Sequence, residues 1–144
     1  MKRRDRWIPL FFLLLGLGAG CLRADELSSG IEVSDICRGR GEGIVAAIVA
    51  GNYEQFAQAA GEPQISGDAD KFRRDREEIV RKYGKPVDFR FLTYLQTPLL
   101  VNQIWVVDFV RNGREGRQIR QQQLFQLIFG EKDGQMRMLG MRFI

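Results

Sequence analysis

From residue 34 to residue 144 the chain changes once from helical to strand periodicity. Ser34 and Asp35 can cap a first helix from about Ile36 to Ala50. Within it Ile44, Val45, Ile48 and Val49 recur at the i, i+1, i+4, i+5 spacing that gathers side chains on one helix face. Gly51 suits its left-handed C-terminal residue. Asn52 then caps a short second helix, with Gln55 at the capping-box position and Tyr53, Phe56, Ala57 and Ala60 as its apolar face. Gly61 to Gly67, with Pro63, reads as a loop. A third helix opens at Asp68 or Asp70, where a carboxylate suits the positive end of the helix dipole. Phe72, Ile79, Val80 and Tyr83 fall on one stripe of it, and Arg73, Arg74, Glu77, Glu78 and Arg81 on the opposite, solvated face. Gly84-Lys85-Pro86 is the stop signal.

Beyond it the period becomes two. Val87, Phe89, Phe91, Thr93 and Leu95 alternate with Asp88, Arg90, Leu92, Tyr94 and Gln96, and Thr97-Pro98 breaks the run. A second strand over about Leu100 to Arg111 is apolar on both faces around Trp105 and therefore central in a sheet. Asn112-Gly113 supports a reversal, with Arg114 to Gly116 as added loop. A third strand over about Arg117 to Phe129 is long enough to predict a bend or bulge near Gln121-Gln122-Gln123. Glu131 to Gly134 turns again, and Gln135 to Phe143 is the last strand. The expected fold class is α+β: three N-terminal helices packed on a curved, cone-like, four-stranded antiparallel sheet.

The N-terminus has a different character. Met1 to Arg6 is basic, and Trp7 to Ala19 is an apolar stretch too short to span a bilayer but of the length of a signal-peptide core. The expected organisation is a signal peptide over 1–21, a tether over 22–33 that is polar and without period, and one domain over 34–144. Leu17-Gly18-Ala19-Gly20-Cys21 resembles a lipobox, in which Cys21 is lipidated and anchors the chain; a plain signal-peptidase site after the small residues, such as Ala24, is the alternative. Either way the location expected is extracytoplasmic, in the periplasm, secreted, or held at a membrane by the lipid.

This leader also explains the charge. The chain has 22 basic and 18 acidic residues, and four of the former and one of the latter lie in the first twenty, leaving 18 and 17. The folded part has no pull toward nucleic acid. With no histidine and two cysteines, a His/Cys zinc site is excluded, and no other metal or cofactor is called for. Cys37 is a lone thiol or, if Cys21 survives, its partner in a bridge to a terminal arm.

Helices first and long antiparallel strands after them resemble the nuclear transport factor 2-like superfamily. The resemblance covers about residues 44–144. It rests on Ala50-Gly51-Asn52-Tyr53-Glu54-Gln55-Phe56 as a helix break, on Tyr83-Gly84-Lys85-Pro86 leading into the first strand, and on the hairpin Asp133-Gly134-Gln135-Met136. More narrowly, the chain resembles a secreted bacterial branch with no assigned function. The resemblance implies an α+β cone around an internal pocket, lined here by Tyr53, Phe56, Phe72, Tyr94, Trp105, Asp108 and Phe125. Enzymes of that superfamily use an Asp with a Tyr or a His. Without histidine, only an Asp–Tyr pair is open, with Asp108 as base and Tyr94 or Tyr53 as donor.

Asp108 stands within Ile104-Trp105-Val106-Val107-Asp108-Phe109-Val110, where burying a carboxylate requires a partner. It is either such a base, or the partner of Arg90 or Arg120, or exposed on the outer face of the sheet. Gly39-Arg40-Gly41-Glu42-Gly43 lacks the ending of a phosphate loop and reads as a flexible or closely packed helix start. Gln121 to Gln123 line a polar groove or an exposed strand edge. Phe72, Phe89, Phe91, Trp105, Phe109, Phe125 and Phe129 supply a core or a pocket wall. The functional expectation is a non-catalytic exported domain that binds a small apolar ligand or an envelope protein, alone or as a homodimer across its sheet. An isomerase- or hydratase-like enzyme and a structural envelope lipoprotein are the alternatives.

Overall fold

A computed structural model describes residues 22–61 and 67–144. The leader, Cys21 and the Pro63 loop interior lie outside the described residues. The elements are α1 (Leu22–Ala50), α2 (Tyr53–Ala60), α3 (Ala69–Tyr83), β1 (Lys85–Gln96), β2 (Leu100–Asn112), a 3-10 turn (Arg114–Gly116), β3 (Gln118–Lys132) and β4 (Gln135–Phe143). The fold is α+β: three described helices precede a four-stranded antiparallel sheet in the order β1-β2-β3-β4.

The helix boundaries follow local chemistry. Asn52 has extended backbone, and its side chain accepts the Gln55 N–H at 3.1 Å. Gly61 closes α2 in the left-handed conformation (φ 70°) and donates its N–H to Ala57. Asp68, rather than Asp70, caps α3 by accepting from the Lys71 N–H. The start of α1 departs from expectation. Helical backbone begins at Leu22, so residues 22–33 are not an aperiodic tether, and Ser34 and Asp35 lie inside the helix instead of capping it. No proline interrupts that stretch, and Leu22, Arg23, Ala24, Glu26 and Leu27 are good helix formers. Once residues 37–50 are packed, adding turns to an existing helix avoids the cost of a new nucleus.

In the sheet, β2 and β3 pair without a break from Leu100↔Gly130 to Asn112↔Gln118. The bulge expected at Gln121–Gln123 is therefore absent. Register shifts occur elsewhere, with Val87 and Leu92 as the extra residues on β1 and Leu139 on β4. Leu92 matters most, because an extra residue inverts the faces that follow it. Phe89 and Phe91 pair opposite the inward-facing Val107 and Trp105. After Leu92 it is Tyr94, opposite Gln103, that shares their face, while Thr93 and Leu95 pair opposite Ile104 and Asn102. The unbroken alternation expected over residues 87–96 is thus two short ones.

The core lies between the inner sheet face and the helices. Val101, Trp105, Val107 and Phe109 of β2, Phe125, Leu127 and Phe129 of β3, and Met138 of β4 pack with Cys37, Ile44, Val45, Ala47 and Ile48 of α1, Phe56 and Ala60 of α2, and Phe72 of α3. Two arginines tie the helix ends to this body. Arg40 donates to the carbonyls of Ala60 (3.0 Å) and Met136 (2.7 Å), and its guanidinium lies over the Phe129 ring. Arg76 donates to the carbonyls of Ile48 and Val49 at 3.2 and 3.3 Å. In each case a cation meets carbonyls in the last turn of a helix, Ala60 of α2 and Ile48 and Val49 of α1. Gly41 permits α1 to approach the sheet: a Cβ there would stand 2.0 Å from Gln103 Oε1 and 3.2 Å from the Trp105 ring. The glycine-rich run is thus closely packed at Gly41 and Gly43 but open at Gly39, and it lies mid-helix and not at a helix start.

Candidate functional site

The apolar stripe of α3 does not seal onto the sheet along its whole length. A cleft of about 370 Å³ opens between α3 and the end of the sheet formed by β3 and β4, with α1 and α2 behind it. Ile48, Phe56, Phe72, Ile79, Tyr83, Phe125, Met141 and Phe143 line it. The aromatic rings stand in two groups on the cleft wall: Phe56 with Phe72 at 4.9 Å between centroids, and Phe143 with Phe125 at 4.8 Å and with Tyr83 at 5.3 Å. Tilted contacts at these separations fix ring positions beyond what area burial does. The volume is at the small end of those that hold organic ligands.

Charged residues of α3, Lys71, Asp75, Arg76, Glu78 and Lys82, flank the mouth, and Arg142 of β4 borders it between Met141 and Phe143 with its guanidinium turned to the outer sheet face, toward Gln126. Lys71 is paired with Asp75, and the guanidinium of Arg76 serves the α1 carbonyls. Lys82 lies 4.9 Å from the centroid of the Tyr83 ring, and the neighbouring hydroxyl holds its pKa above the ordinary lysine value, so it stays cationic. Arg142 donates to Gln126 Oε1 at 2.8 Å. Neither Lys82 nor Arg142 has a carboxylate within ion-pair distance among the described residues.

Of the residues expected to line a pocket, the structure brings together Phe56, Phe72 and Phe125. Tyr53 stands behind them, 5.9 Å from Phe72, with its hydroxyl donating to the Gly67 carbonyl. Trp105 belongs to a separate part of the core, edge-on to Phe91 at 5.1 Å and donating from Nε1 to the buried Gln103 Oε1. Tyr94 is exposed beside Phe91 near the β1–β2 hairpin. Asp108 is not inside the fold. Its neighbours Val107 and Phe109 point into the core, so Asp108 lies on the outer sheet face, opposite Asp88 and accepting from Gln122 Nε2 at 2.7 Å. Tyr94 pairs opposite Gln103, five residues from Asp108 along β2, a separation of about 17 Å. The Asp–Tyr pair that an isomerase reading requires is thus not assembled from Asp108 with Tyr94, and Tyr53 is on the helical side of the sheet.

Tyr83, Met141 and Phe143 were not singled out as site residues by sequence reasoning. The signal for Tyr83 was present, since it ends the α3 stripe. Nothing local marked Met141 or Phe143, whose place depends on β4 pairing with β3 at Leu127 and Phe125. Gln103 was also missed. It is 1 % exposed, and its Nε2 has no partner among the described residues. Cys37 is a free buried thiol whose pKa burial pushes up, and nearby Arg40 only partly offsets that. Among the described residues no three His, Cys, Asp or Glu side chains cluster as a metal site, and no helix is long and apolar enough to cross a membrane.

Comparison with known proteins adds little to this geometry. No family model matches the chain, and no curated protein does. Among solved structures, a de novo designed protein with a curved β-sheet is similar at 16% identity and a TM-score of 0.42, over 74% of this chain and 97% of that one. A protein from Xanthomonas campestris, described as a calcium/calmodulin dependent protein kinase II association domain, is similar at 13% identity and a TM-score of 0.43, over 78% of this chain and 84% of that one.

Proposed function

We propose that this chain is an exported, non-catalytic domain that takes a small apolar ligand into the cleft beneath α3. The observation that carries the reading is the cleft itself: an aromatic and aliphatic wall of about 370 Å³, open to solvent at a charged mouth. Exposed apolar surface of that shape is costly in water and gains from an apolar occupant. The leader over residues 1–21 is the support for export. The nuclear transport factor 2-like resemblance and a cone-shaped sheet belong to the same proposal, supported by the extra residues Val87, Leu92 and Leu139, since bulges bend the strands that carry them. Against catalysis stands the separation of Asp108 from Tyr94.

Fluorescence titration with N-phenyl-1-naphthylamine, a neutral apolar probe, tests this reading. One probe per chain is expected to bind, and Met141→Trp, which fills the cleft, is expected to abolish it. Undiminished binding by Met141→Trp would place the site elsewhere and defeat the proposal.

One observation favours a protein partner as well, namely a second copy across the sheet. On the outer face Val106 is 3 % exposed without belonging to the main core, among Ile104, Val110, Leu124 and Ile128. Asp88 and Asp108 on one side of this patch and Arg120 and Arg142 around it have no ion-pair partners among the described residues, so two copies laid face to face could supply each other's counter-charges. Sedimentation equilibrium of Leu124→Asp against the unaltered protein tests it: dimer to monomer supports the pairing, and a monomer in both rules it out.

A further inference from the structure

We infer that α1 is jointed at Gly39: its N-terminal arm, residues 22–38, pivots there against a firmly docked segment, residues 40–50, and in doing so opens the packing of Cys37 and Arg38 on the body of the domain. Gly39, Gly41 and Gly43 stand in the middle of this 29-residue helix, and each costs it stability relative to alanine. Packing accounts for two of them. Gly41 makes room for Gln103 and Trp105, and a Cβ at Gly43 would stand 3.3 Å from that of Ala59. At Gly39 nothing lies within 4 Å of an added Cβ, and helical backbone needs no glycine. What glycine supplies at such a position is a low cost of leaving the helical conformation.

The docking of the helix changes at the same residue. Among residues 35–39 Cys37 alone is buried; Ile36 is 58% exposed, and the Arg38 guanidinium lies over the Phe91 ring at 4.7 Å from its centroid. From the next residue on, the helix is held. Arg40 donates to the Ala60 and Met136 carbonyls, and Gly41, Ile44, Val45, Ala47 and Ile48 are buried. The Arg40 clasp therefore fixes one side of Gly39. On the other side, among the described residues, one small buried side chain and one exposed cation–π contact hold the arm. Residues 22–38 form an arm about 26 Å long, so a bend of about 20° at Gly39 carries its far end about 9 Å. Ile48, which lines the cleft, is on the docked side, so the arm moves without reshaping the cleft.

Cys37 is a built-in reporter of this motion, because a buried thiol is alkylated only while it is open. The test is iodoacetamide labelling, followed by mass spectrometry, of the full chain carrying Cys21→Ser, which leaves Cys37 as its one thiol. Labelling is expected to run about tenfold or more above the rate that global unfolding, measured by urea melts, allows. It should also be flat in dilute urea, since opening the arm exposes little surface. Gly39 is exposed with open space around it, so alanine enters without a clash and the variant folds. Gly39→Ala should slow labelling about fivefold, the equilibrium factor for the difference in helix propensity between the two residues. Glu42→Gly, a comparable change in the opposite direction on the clasped side, should leave the rate unaltered. Labelling that rises with urea in step with global unfolding would overturn the joint. An equal rate in Gly39→Ala, or a faster one in Glu42→Gly, would overturn Gly39 as its pivot.

Discussion

The junction between α3 and β1 offers a sharp energetic test, because a single residue both ends the helix and starts the sheet. Gly84 sits at φ +99° and ψ −173°, a region in which non-glycine residues cost about 1–3 kcal/mol. A Cβ built on it would lie 2.6 Å from the Val110 carbonyl oxygen and 2.9 Å from its carbon. That obstacle is main chain and not a side-chain tip. Val110 pairs with Lys85, the residue after Gly84, so the two strands cannot part without losing the first rung of the β1–β2 ladder. Adding an overpacking cost of about 1–3 kcal/mol, Gly84→Ala should destabilise by about 2–6 kcal/mol, a large share of the roughly 5–15 kcal/mol that holds a domain together. Gly134→Ala is the internal control. Its φ is +73°, but nothing lies within 4 Å of the added carbon, so only the backbone penalty of about 1–2 kcal/mol applies. Urea unfolding of both variants and the unaltered protein measures the difference. A Gly84→Ala variant within about 1 kcal/mol of Gly134→Ala would refute the account of this junction.

Three further perturbations probe other parts. Arg40→Met removes the cation from the Ala60 and Met136 carbonyls and should cost about 2–3 kcal/mol, with faster amide exchange at the end of α2; a change under 0.5 kcal/mol would mean the clasp is incidental. Burial raises the Cys37 thiol above the ordinary value of 9.0, so the unfolded chain ionises first and stability should fall as pH rises above that value. Cys37→Ala should remove that part of the pH slope, and an unchanged slope would contradict the burial argument. Asp108→Asn should alter neither stability by more than about 0.5 kcal/mol nor probe binding, since it acts on the outer face through Gln122; loss of binding would reinstate it as a site residue.

How much of this was readable in the sequence depended on whether the governing interaction was local. Asn52 with Gln55, Asp68 with Lys71, and Gly84 before Lys85-Pro86 are contacts within four residues, and each boundary fell where the capping chemistry put it. The α3 stripe likewise placed Phe72 in the cleft wall. Register was a different matter. Extra residues at Val87, Leu92 and Leu139 leave no compositional mark, because an apolar residue in a strand looks alike in or out of phase. Leu92 alone accounts for the misassigned faces of Thr93, Tyr94 and Leu95. Asp108 is the reverse case. Its phase relative to Trp105 and Phe109 was in the sequence, and strict alternation along β2 already put it on the face opposite the core; the expectation of an interior base came from resemblance instead. Met141, Phe143 and Arg142 enter the site through pairing with β3, a tertiary fact that no window of β4 contains.

The most direct test of the cleft as a ligand site is native mass spectrometry of the protein isolated from the cells that make it, followed by denaturation of the same sample. The account predicts one excess mass per chain that is lost on unfolding and that belongs to a small apolar compound. A native mass equal to the denatured mass, in a sample whose cleft is still closed to added N-phenyl-1-naphthylamine, would contradict it.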